Sequence, residues 1–112
     1  MTNNHLTKRT ADIGPPQVLD MEEAVLGALL IEKPALEQVI DILYPDYFYK
    51  PAHQEIYQAM LALFASNEPV DLLTVAQQLR KTEKLEMVGG PKYLMKLTNL
   101  VNSAANIEYH AR

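Results

Sequence analysis

The chain contains no cysteine and no tryptophan, and only four glycines. Without cysteine there is neither a disulfide scaffold nor a thiolate metal site, so the fold must rest on packing alone. The one glycine pair, Gly89-Gly90, runs into Pro91-Lys92. A phosphate-binding loop needs GxxxxGK[ST], whose backbone amides cradle the phosphates, and proline removes one of those amides. Long hydrophobic runs are also missing. The longest, Ala24 to Ile31, is far short of the roughly 20 apolar residues that cross a bilayer. The N-terminus carries Asn3, Asn4, Lys8, Arg9 and Asp12 and has no apolar stretch of signal-peptide type, which predicts a cytoplasmic protein that makes no membrane contact. Positive charge is scarce too, with 10 basic against 14 acidic residues and a net charge of −4. The deficit is uneven. Residues 20–71 hold a balance of −8 and residues 72–112 one of +3. A nucleic-acid binder usually shows a dominant basic surface, so any such contact would be confined to the second half.

What remains is a chain of 112 residues, 48% hydrophobic and 21% charged, enough for one small core. Residues 1–17 are polar, end near Gly14-Pro15-Pro16 and are expected to form a flexible arm. Asp20 followed by Glu23 reads as a capping box before the stripe Val25, Leu26, Leu29, Leu30. Gly27 lies inside that helix, where close packing explains it best. Pro34 opens a second helix, Tyr44-Pro45 ends it, and Tyr47, Phe48 and Tyr49 form a tight connection. Pro51 opens a third helix that closes at Asn67, a left-handed cap, and Asp71 caps a fourth. Pro91 starts a fifth, and Ser103 is expected to cap a sixth that has no stop signal before Arg112. No alternation of period two calls for a sheet. The spacing therefore predicts an all-α, compact bundle of about six short helices, the last one truncated. Its globular head covers 18–102, and 103–112 begins a further element.

Chemistry has few places to reside. His53-Gln54-Glu55 matches half of a zinc deaminase motif, whose other half requires cysteines that the chain lacks. Glu37 and Asp41, four apart, are spaced to share a metal on one helix face, but such pairs usually form a solvated face. The serines and threonines have no neighbouring histidine or lysine in a nucleophile arrangement. These patterns predict no catalytic, cofactor or metal site. The densest basic group is Arg80, Lys81, Lys84, Lys92 and Lys96. A helix-turn-helix reader would use it, with Leu72 to Lys81 as first helix, yet Glu83 and Glu86 follow and would repel phosphate.

Five blocks stand in order along the chain: EEAVLGALL from Glu22, FYKPAHQEIYQAM from Phe48, PVDLLTVAQQL from Pro69, VGGPKYL from Val88 and SAANIEYHAR from Ser103. Together they resemble the N-terminal domain of the DnaB-type replicative helicases of bacteria, over essentially everything from Pro15 onward. The resemblance implies a collar domain of a hexameric ring, paired as a trimer of dimers, that helps recruit primase and possible loader proteins. It also implies a separate motor domain that uses ATP and magnesium to unwind DNA. On this basis 103–112 would begin the hairpin through which neighbours pair, with Asn106, Glu108, Tyr109 and His110 as candidate contacts, and the fragment alone would be a monomer or weak dimer. Asn102 departs from the proline that many relatives place there. Two other classes compete: a stand-alone helical DNA-binding regulator using the basic group, and a small hydrolase. A linker followed by GxxxxGK[ST] in the parent reading frame would decide among them.

Overall fold

A computed structural model describes residues 15–111, with side chains described through Asn102. Helix α1 spans Pro16–Ile31 and begins four residues before the expected Asp20 cap. Pro16 needs no amide in a first turn, and the Val18 and Leu19 amides donate to the Pro15 carbonyl at 3.0 and 3.1 Å, so the helix starts without a side-chain cap. Asp20 is consequently inside the helix, and Glu23 caps nothing. Residues 16 and 17 belong to this helix; the rest of the expected arm, up to residue 14, lies outside the described residues.

Glu32 turns the chain in extended conformation into α2, Lys33–Val39, whose first turn holds Pro34 as expected. Asp41 lies beyond its end, so Glu37 and Asp41 do not share one helix face. A 3-10 turn, Pro45–Tyr47, leads to α3, Pro51–Ala65. This helix is the centre of the core. Ile56, Tyr57 and Met60 are completely buried on it, and α1, α4 and α5 all pack against it.

Helix α4, Leu72–Lys81, opens with the cap expected at Asp71, and the cap is reciprocal: Asp71 accepts from the Thr74 amide at 2.9 Å while Thr74 Oγ1 accepts from the Asp71 amide at 2.9 Å. Both α3 and α4 close with the same device. Asn67 (φ 59°) and Glu83 (φ 61°) adopt the left-handed conformation, and the next amides, Glu68 and Lys84, donate back to Leu63 and Leu79 at 2.9 and 2.8 Å. A single turn, α5 (Leu85–Val88), ends at left-handed Gly89 (φ 113°).

From there α6 runs unbroken from Gly90 to Ala111. The expected break at Ser103 does not form. A helix already propagating adds residues cheaply, and Asn102 lacks the proline ring that would stop it. Because the Leu85–Val88 turn is a helix of its own, the described residues still form six α-helices. Among the described residues there is no strand.

Candidate functional site

Glu22, Leu26 and Leu29 share one face of α1, so the inward stripe of that helix begins with a carboxylate rather than a leucine. Glu22 is 8% exposed and His53 on α3 completely buried. Burial of charge is tolerated only with partners, and here every partner is present. Glu22 Oε1 lies 2.7 Å from His53 Nδ1, and its carboxylate also accepts the backbone amides of Tyr49 and Lys50. Those amides precede α3, so the carboxylate serves the positive end of the α3 dipole, a role usually filled from within the helix. His53 Nε2 lies 2.7 Å from the Tyr93 hydroxyl of α6, which donates to Glu23 Oε2 at 2.7 Å.

A carboxylate only accepts, so His53 Nδ1 donates to Glu22, and the ring is held between α1 and α6. Its ring also lies parallel to that of Tyr93, centroids 6.0 Å apart and planes 10° apart. Burial first, then the hydrogen bond and charge of Glu23 and the charge of Glu22, push the Tyr93 phenol far above its ordinary value. It therefore remains a neutral donor. The Lys50 and Lys96 ammonium groups lie 5.0 and 5.6 Å from the Tyr93 ring centroid, and Lys96 reaches Glu23 at 3.7 Å. Among the described residues no buried side-chain nitrogen or oxygen is left without a partner. With both ring nitrogens occupied, His53 is a cross-link of three helices. Gln54 donates to the Phe48 carbonyl at 2.7 Å, while Glu55 lines a different groove, so the half-motif at 53–55 has no common site.

Sequence reasoning missed this network, having treated Glu23 as a cap and His53 only as half of a metal motif. The signal that could have found it is the charge at Glu22, in register with Leu26 and Leu29.

The outer surface distributes the five basic residues over several faces. Arg80 borders a groove shared with Glu83 and Glu86, Lys84 one shared with Glu55, and Lys81 is exposed at the end of α4. Lys92 and Lys96 flank the half-exposed Met95 and Leu100 on α6. Leu100 also enters an apolar groove between α6 and α1, floored by Ala24, Ala28 and Val101 and edged by Asp20 and Glu23. Asn106, Glu108, Tyr109 and His110 fall on the last turns of α6; beyond that backbone placement they lie outside the described residues.

Comparisons with known proteins agree with this architecture. The profile of the family described as DnaB-like helicase N terminal domain matches residues 14–112. The chain is 49% identical to the replicative DNA helicase DnaB of Rhodothermus marinus over 96% of its own length and 12% of that protein's. It is 50% identical to the replicative DNA helicase DnaC of Bacillus subtilis over 88% of its length and 22% of the relative's. It thus spans about a fifth or less of these curated relatives. The crystal structure of the N-terminal domain of DnaB helicase from Mycobacterium tuberculosis superposes with a TM-score of 0.72 at 43% identity, covering 83% of this chain and 67% of that one.

Proposed function

This chain belongs to the DnaB-like helicase N-terminal domain family, and from that membership we propose that it is the collar and interaction domain of a cytoplasmic replicative DNA helicase. In this reading it performs no catalysis itself. It supports assembly of a hexameric ring as a trimer of dimers and helps recruit primase, with a loader as a further partner. ATP and magnesium belong to a motor domain elsewhere in the parent, which unwinds DNA at the replication fork.

The observation that carries the reading is the contrast between the head and its last helix. The polar groups of the core are consumed in internal bonds, whereas α6 presents Met95 and Leu100 beside an apolar groove. Such a surface suits protein partners, and isologous pairing along α6 would make the dimers from which a ring is assembled. The DNA-reading alternative gains less support, because the basic residues border separate grooves alongside Glu55, Glu83 and Glu86.

The test measures mass by light scattering for the 112-residue chain and for the full-length parent, each with and without the primase of the same organism. The expected result is a monomer or weak dimer for the short chain, a hexamer for the parent, and primase retained by the parent. A stable hexamer from the short chain would move the assembly determinant into the head. A parent that neither oligomerises nor retains primase would overturn the proposal.

A further inference from the structure

We propose that the tyrosine corner between α2 and α3 is a docking site for an arginine-bearing segment of another protein. This inference does not depend on the collar reading. Ile42, Tyr44, Tyr47 and Tyr49 are exposed by 67, 49, 64 and 39%, while Phe48 among them is 4% exposed and turned into the core. Four large side chains in eight positions thus stand in solvent where they add nothing to the core. Contiguous exposure of this kind marks interaction surfaces, in which tyrosine is enriched.

The corner is held rigid from beneath. The Leu43 carbonyl accepts from Tyr57 Oη at 2.7 Å, and the Phe48 carbonyl accepts from Gln54 Nε2 at 2.7 Å. The 3-10 turn fixes what lies between, with the Tyr47 amide donating to the Tyr44 carbonyl at 2.9 Å. Tyr44 Oη donates to the Asp41 carbonyl at 3.1 Å, and the Tyr44 and Tyr47 rings stand edge to face, centroids 5.4 Å apart at 85°. Two rings already ordered lose little entropy on binding.

Charge selects the occupant. Residues 32–49 carry Glu32, Glu37, Asp41 and Asp46 against Lys33 alone, and the next cation, Lys50, is drawn away over the Tyr93 ring. Asp41 and Asp46 are exposed and form no ion pair among the described residues. Phosphate-bearing partners, whether nucleic acid or lipid surface, would be repelled. A guanidinium satisfies both features, stacking on a phenol face while its fork pairs with a carboxylate; a lysine ammonium matches only the charge.

The test titrates the chain with a short peptide alternating arginine and glycine and follows backbone amide shifts by NMR, with the lysine analogue in parallel. Shifts centred on residues 41–49 are expected, with the lysine peptide binding about tenfold more weakly. A Tyr44→Ser/Tyr47→Ser double variant should lose this binding without a change in melting temperature. A second variant, Asp41→Asn/Asp46→Asn, which leaves both rings in place, should weaken it as well. Shifts spread over the acidic surface, or centred elsewhere, would overturn the proposal, as would undiminished binding by either variant. Self-association through these residues that the arginine peptide fails to displace would overturn it in favour of a second copy of the chain.

Discussion

Replacing Gly27 with alanine separates what an isolated helix prefers from what this fold allows. In an exposed helix interior the change is favourable by about 1 kcal/mol, since glycine loses more backbone entropy and alanine none of its side chain. At Gly27, however, a Cβ would lie 2.4 Å from the Leu97 carbonyl oxygen and 2.7 Å from Val101 Cγ2. Ordinary contact begins at 3.4 Å, so α1 and α6 would have to separate locally by about 1 Å. The carbonyl is backbone and cannot rotate away. Overpacking of a tight interface costs typically 1–3 kcal/mol, and an immovable neighbour places this case at the upper end. Subtracting the helix gain leaves a destabilisation of about 1–2 kcal/mol. With a urea m-value of about 1–2 kcal/mol per molar for a small domain, the unfolding midpoint should fall by roughly 1 M. Adding Val101→Ala to Gly27→Ala removes the methyl contact but not the carbonyl, so the double variant should recover only part of the loss beyond additivity. A Gly27→Ala protein with a midpoint above wild type would refute the close crossing and leave propensity as the governing effect.

Three further outcomes test the histidine network and the caps. His53→Leu strands the buried Glu22 carboxylate beside an apolar group and should destabilise by about 3–5 kcal/mol in chemical denaturation; Tyr93→Phe, which removes one hydroxyl shared by His53 and Glu23, should cost a smaller amount of about 1–3 kcal/mol. Equal losses for the two would argue against a chain of bonds running through Tyr93. Burial raises the phenols of both Tyr57 and Tyr93 above the ordinary 10.0. Because a raised folded value favours the protonated form, their contribution is fully present below 10.0 and is lost as pH rises toward the folded-state value. Ultraviolet titration should accordingly show two tyrosines ionising only with alkaline unfolding, and ionisation of every tyrosine near its ordinary value in the folded protein would contradict it. Asp71→Ala removes the side-chain acceptor of the Thr74 amide and should lower stability by about 0.5–2 kcal/mol, with hydrogen exchange accelerated first at the start of α4.

Features whose physical cause is local were legible in the residues alone. Pro34 and Pro51 opened helices because their missing amides cost nothing there. Asn67 ended α3 because asparagine tolerates the left-handed conformation, and Asp71 capped α4 because its short side chain reaches the amide three residues on. The all-α class and the inward stripes followed from periodicity, and the family from ordered blocks whose spacing survives in one chain. Tertiary structure alone decided whatever needed two distant segments. Asp20 and Glu23 satisfy a capping pattern, yet the helix starts earlier and Glu23 instead meets a hydroxyl 70 positions away. Ser103 has a cap's chemistry but sits within a helix that nothing before it halts. Glu22, His53 and Tyr93 come from three helices, and no window on the sequence can show that their polar atoms converge. A hydrogen bond between remote residues is set by how helices cross, and that crossing is fixed by the close approach at Gly27.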